Sequence, residues 1–151
     1  MISLILQHMK LFLILMLFIS SAITAIGQAD EENRNLVFDY SDLKIIQKAD
    51  SILSDSSKWN KQDDRECADD IANGKYSLFC ALYKASIDVT GVYVHRRAAM
   101  QVVRFIVEKY DDRGIKDHRL MDWNNSPKTT FAELKKVLKE STDAVKKQLK
   151  D

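Results

Sequence analysis

The chain has 151 residues, 46% hydrophobic, 30% charged and 9% aromatic, with only 4 glycines and 1 proline. This excludes a disordered chain, a collagen-like repeat and a disulfide-dense miniprotein, and it suits a helical globular domain. Lys and Arg total 23 against 22 Asp and Glu, a net charge of +1, so no global field draws the chain to nucleic acid or to an anionic membrane.

The first predicted element is a leader. Leu11 to Ile19 is an unbroken apolar run after Lys10, and small side chains follow from Ser20 to Gly27, the pattern of a secretory signal peptide. Ala25 and Gly27 hold the two positions that a signal peptidase reads, which predicts cleavage between Gly27 and Gln28, with a cut after Ala29 as the alternative. Met9, directly before Lys10, offers an alternative translation start. The rival reading is an uncleaved anchor holding a structural envelope protein, but the apolar stretch Leu11 to Ile26 falls short of the ~20 residues a spanning helix needs. No stable membrane span is therefore expected after cleavage. Cleavage removes Lys10 and no acid, which takes the net charge to zero. The expected location is the periplasm or the exterior, an oxidising compartment where cysteines pair.

Residues 28–35 are polar and aperiodic and read as a flexible spacer, and 36–151 as one α-helical domain. Ser41 can cap a first helix with apolar residues at Leu43, Ile46, Ala49 and Leu53. Asp63 to Asn73 reads as a short acidic helix stopped by Gly74, and Ser77 can cap a third helix, Leu78 to Thr90, ended by Gly91. Tyr93 to Tyr110 carries a fourth helical stripe, Ile115 to Trp123 a short helical turn, and Thr130-x-x-Glu133 is a capping box opening the last helix. No hairpin turn signal or sustained alternation argues for strands. The fold class is all-α, a single compact bundle of about five helices after a cleaved signal peptide.

Cys67 and Cys80 flank Gly74 at similar distances, so a turn there brings the thiols level, and a disulfide closing that loop would stabilise by roughly 3 kcal/mol. Redox or metal chemistry fits less well, because the pair lacks a C-x-x-C spacing. The acids Asp63, Asp64, Glu66, Asp69 and Asp70 lack the glycine and terminal glutamate of a calcium loop and suit a solvated capping face. Among them, or with His95 or His118, a small hydrolase site is the alternative function. Against it, no nucleophile elbow, phosphate loop or metal-ligand histidine spacing is present, so neither a cofactor nor a metal is expected.

Two stretches are candidates for binding. His95-Arg96-Arg97 puts fixed positive charge at the predicted start of the fourth helix, against its dipole, where it could hold a phosphate, a carboxylate or an acidic partner loop. The competing explanation is that Arg96 or Arg97 pairs with the acidic second helix. Trp123-Asn124-Asn125, followed by Pro127, is the most distinctive run, and it equally suits a structural corner between the last two helices.

This corner, with Thr130-x-x-Glu133, resembles an uncharacterised bacterial all-helical family of unknown function whose members carry a Trp-Asn-Asp-like turn before a capped amphipathic helix; Asn125 stands where Asp is common. The similarity extends more weakly to Trp59 and to Gly74 through Ala85. The resemblance implies a helical fold and carries no activity or catalytic residues. The functional expectation is an exported protein-interaction or binding module of the cell envelope, whose partner is an unidentified protein or envelope component. A periplasmic immunity or inhibitor protein would be one concrete form.

Overall fold

A computed structural model of the protein describes residues 36–150. The predicted leader and the spacer 28–35 lie outside the described residues. Within them the chain forms six α-helices: α1 (Tyr40–Ile52), α2 (Cys67–Asn73), α3 (Leu78–Thr90), α4 (Ala98–Val107), α5 (Arg119–Asn125) and α6 (Phe131–Gln148). Single 3-10 turns occupy Ser56–Lys58 and Asp111–Arg113. The one extended pairing among the described residues is an isolated bridge between Trp59 and Tyr76.

The helices begin where a side chain satisfies amides that the first turn leaves open. Ser77 Oγ accepts from Cys80 N at α3, and Thr130 and Glu133 form a reciprocal capping box at α6. The cap of α1 is Asp39 rather than Ser41, and it too forms a box, with Asp42. Gly74 and Gly91 end α2 and α3 in the left-handed conformation (φ +63° and +78°), which a Cβ disfavours.

The bundle differs from the sequence reading at three boundaries. Helix α2 starts at Cys67, four residues later than expected, because Arg65 adopts φ +70° and breaks any helix through it. The Asp63 and Asp64 carboxylates turn back onto the amides of Arg65 and Glu66 in successive Asx turns. Helix α4 starts at Ala98 rather than Tyr93, so His95-Arg96-Arg97 precedes it instead of forming its first turn. Its cap comes from elsewhere in the chain: Asp42 Oδ1 of α1 accepts from Ala99 N at 3.0 Å. The expected turn before Trp123 is a full helix, α5, held by Asp122 Oδ2, which accepts from the amides of Lys116, Asp117 and His118. Burial pushes the Asp122 carboxyl up, yet those three bonds outweigh it and hold its pKa below the ordinary range.

α1 packs against α3 and α6, and α4 against α5 and α6. Ile45, Ile46, Leu53, Leu78, Leu82, Met100, Val103, Val107, Leu134 and Leu138 are fully buried at the centre, with Trp123 closing the end near α5. Removing such side chains from water supplies most of the folding free energy. Lys135 of α6 completes α1 by donating to the carbonyls of Asp50 and Leu53, replacing the glycine that this helix end lacks. None of the described helices is long and apolar enough to cross a membrane.

Candidate functional site

The Trp123-Asn124-Asn125 run turns inward. Asn124 is fully buried and its four hydrogen-bonding directions are filled. Its Oδ1 accepts from Trp59 Nε1 at 2.8 Å and from Leu78 N at 3.1 Å, while Nδ2 donates to Asn60 O and to Asn125 Oδ1. Asn125 pairs with the backbone of Asp63 in both senses, accepting from its N at 2.7 Å and donating to its O at 2.8 Å. Trp123 packs edge-on against Tyr110. These residues fasten the 59–63 segment to the end of the bundle, and Asn124 has no polar atom left over for a ligand.

The acidic segment is likewise occupied with backbone. Asp70 accepts from Asn60 Nδ2 and from Ser77 N, and Asp63 Oδ1 accepts from Arg65 N. Asp63 is 5% exposed, and its Oδ2 has no hydrogen-bond partner. Burial, with the Asp70 and Asp64 charges adding to it, raises the Asp63 pKa despite the bond from the Arg65 amide that opposes it. Among the described residues, no three His, Cys, Asp or Glu side chains converge as a metal site would require.

Cys67 and Cys80 form a disulfide that ties the first residue of α2 to the first turn of α3, with 5.1 Å between the Cα atoms. Arg65 is thus held from two sides, by the bonds of Asn125 and Asp63 before it and by the disulfide after it. A left-handed non-glycine residue costs of order 1–3 kcal/mol and persists only where its surroundings over-determine it.

The three basic residues 95–97 separate in function. Arg97 ion-pairs with Asp39 and with the buried Asp42, at 2.9 and 3.0 Å, so it joins the start of α4 to the start of α1 rather than to the acidic segment at 63–70. Arg96 is exposed and has no carboxylate within ion-pair distance among the described residues. His95 faces Arg104, a residue that the sequence reading did not single out. Arg104 stands within the apolar run Val102-Val103-Arg104-Phe105-Ile106-Val107, and that lone charge was the signal available.

Arg104 is only 8% exposed and has no carboxylate partner among the described residues. Its guanidinium donates to His95 O at 2.7 Å and lies 3.4 Å from His95 Nδ1, to which the Tyr93 hydroxyl also closes at 3.1 Å. Burial lowers the Arg104 pKa, and the like charges of Arg119 and Arg65 push the same way. The Arg104 charge in turn lowers the His95 pKa, with burial, Arg65 and Arg96 adding to it. Because a guanidinium can only donate, His95 Nδ1 is the acceptor in its contact with Arg104.

Arg65 extends the cluster. Its Nη1 lies 3.2 Å from His118 Nε2, and among the described residues it too has no acidic partner. Arg119 follows His118, stacks over Phe105 and ion-pairs with Glu108. Phe79, Tyr83 and Tyr93 form an aromatic wall beside these cations, with ring centroids 5.0 to 6.4 Å apart. Val92 and Val94, 54% and 45% exposed, border it. Arg65 thus meets His118, and Arg104 meets His95 beside Tyr93, and among the described residues Arg65, Arg96 and Arg104 have no carboxylate within ion-pair distance.

A family model, that of a family of unknown function, matches residues 38–144. No curated protein and no solved structure matches the chain.

Proposed function

The chain belongs to this family, DUF6197, whose function is unknown, and from that premise we propose that it is an exported binding module that engages an acidic partner of the cell envelope through the Arg65–Arg96–Arg104 face. The single observation that carries this reading is the charge imbalance there. Among the described residues, these three arginines have no carboxylate within ion-pair distance, whereas Arg97, Arg113 and Arg119 are all paired. Clustered like charges repel one another, and an arriving anion reverses the sign of that interaction. The neighbouring tyrosines with Val92 and Val94 supply the apolar contact that a protein partner needs at the centre of an interface.

The Asp/Glu/His hydrolase alternative finds no such support, since Asp63, Asp64 and Asp70 bond to backbone amides and Asn60. Export is supported by the leader pattern at 11–27 and by the Cys67–Cys80 disulfide, a bond typical of oxidising compartments. A periplasmic immunity or inhibitor role would be one form of this function.

The test is capture from envelope extracts by the wild type and by an Arg65→Glu, Arg96→Glu double variant that retains the wild-type melting temperature. A specific partner retained by the wild type, released by moderate salt and lost in the variant is the expected result. Equal capture by both, or none by either, overturns the reading. Intact mass of the chain from the same fraction checks export: it should begin at Gln28 or Asp30, with both thiols blocked until reduction.

A further inference from the structure

We propose that the His95 imidazole is an acid-released cover on the Arg104 guanidinium: the neutral ring docks on it, and the protonated ring leaves it. This inference goes beyond the binding reading and does not depend on it. Two contacts meet at one ring atom. His95 Nδ1 lies 3.4 Å from Arg104 Nη2 and 3.1 Å from the Tyr93 hydroxyl. A guanidinium has no lone pair to offer, so Nδ1 must supply one, and the neutral ring carries its proton on Nε2. A second proton, at Nδ1, sets donor against donor. It also puts a cation beside a buried one that has no carboxylate partner among the described residues. The Tyr93 hydroxyl can turn and accept from that proton, whereas Arg104 cannot.

The backbone stays tethered while the ring moves. Arg104 Nη1 donates to His95 O at 2.7 Å, a bond that the ring proton does not touch. His95 itself is exposed, so the ring has solvent to enter. Its surroundings push one way: the Arg104 charge on α4 first, then burial, Arg65 and Arg96 favour the neutral imidazole and lower its pKa. Lys84 on α3 and Arg119 on α5 are matched by Asp88 and Glu108, and Tyr83 on α3 packs against Tyr93. Docking and deprotonation are therefore linked. Each pH unit by which the docked ring titrates below a free one makes docking tenfold weaker for the imidazolium. In acid, Arg104 Nη2 is uncovered and the surface gains a charge.

The experiment follows the disulfide-intact chain by NMR from about pH 8 to about pH 5, a span that brackets the ordinary histidine range. The His95 ring should titrate with a midpoint below the ordinary histidine value of about 6.5. Through that midpoint the nuclear Overhauser cross-peaks between the His95 ring and the Arg104 side chain should fall by about fivefold or more, and the Arg104 Nε–H signal should move with the same midpoint, while the helix amides stay where they are. Arg104→Met removes the charge and should raise the His95 midpoint toward the ordinary value. His95→Gln, at an exposed position, keeps an acceptor oxygen without a titrating proton, so the Arg104 signal should then be flat across the same span. His118→Gln should leave the His95 titration and the Arg104 response in place. A His95 midpoint at or above the ordinary value, cross-peaks that persist through the titration, or an Arg104→Met midpoint equal to that of the wild type overturns the device. So does an Arg104 signal that still titrates in His95→Gln or stops titrating in His118→Gln.

Discussion

The corner around Asn124 and the face around Arg104 both gather polar side chains from distant parts of the chain, and they end in opposite conditions. At the corner each donor of Asn124 meets an acceptor, and its oxygen accepts twice, from Trp59 and Leu78. At the face the geometric contacts are made, but between groups of like charge or neutral rings: arginine to histidine, histidine to tyrosine. A closed network fixes a fold, and an open one keeps interaction energy available for something that arrives later. The corner also serves the face, because Asn125 fixes the backbone two residues before Arg65.

Substitutions can break this contrast. Asn124→Ala leaves Trp59 Nε1, Leu78 N and Asn60 O without partners, and at roughly 1–3 kcal/mol per orphaned group it should cost about 4 kcal/mol in urea unfolding. A cost under about 1 kcal/mol would mean that water replaces the side chain and the corner is not closed. Removing the disulfide with Cys67→Ser and Cys80→Ser should cost about 3 kcal/mol for a sequence separation of 13. That double variant should also weaken partner binding, since Arg65 is then held from one side only.

The Asp63 carboxyl gives a pH-dependent test with a definite sign. Its pKa is raised in the folded state, so the fold holds this proton more tightly than the unfolded chain does. The stability this contributes is complete below the ordinary aspartate pKa of about 4 and is lost as pH rises through the raised value. Asp63→Asn should therefore become more stable relative to wild type as pH increases from about 4, reaching a constant difference once the pH has passed the raised value, as measured by paired denaturation curves. The smallest expected effect sharpens the comparison most. Arg65→Gln removes no ion pair and should change stability by under about 0.5 kcal/mol, while abolishing much of the binding at the face.

Features set by neighbours in sequence were readable in advance. Ser77, the Thr130–Glu133 box, Gly74 and Gly91 act within a turn of their own position, and the helices they delimit follow from composition and spacing. The all-α class follows from the same periodicity. What was not readable depends on residues far apart in the chain. Asp42 caps α4 from 57 residues away, so nothing near Arg97 announces that the helix begins there. The acidic run reads as a helix until Asp63 and Asp64 are seen bonding to the amides beyond them, an arrangement that requires Asn125 in place. The stretches read as binding candidates have different surroundings. His95 and Arg96 are exposed, Arg97 is absorbed by Asp39 and Asp42, and the Trp123–Asn125 run is built into the scaffold. Arg104 was hidden inside an apolar stripe, where a single charge resembles an edge position unless its burial is known.

The Cys67–Cys80 bond also sets how the protein behaves as a mechanical object. A pulling force applied through the chain ends passes across the sulfur bridge and bypasses the segment between the two cysteines, including Gly74 and most of α2. That segment stays a slack loop however far the rest extends, hiding roughly 40 Å of contour length, the reach of 13 extended residues less the width of the bridge. A reducing environment would release this length in one step, so the oxidised chain is shorter and stiffer under load than the same chain reduced.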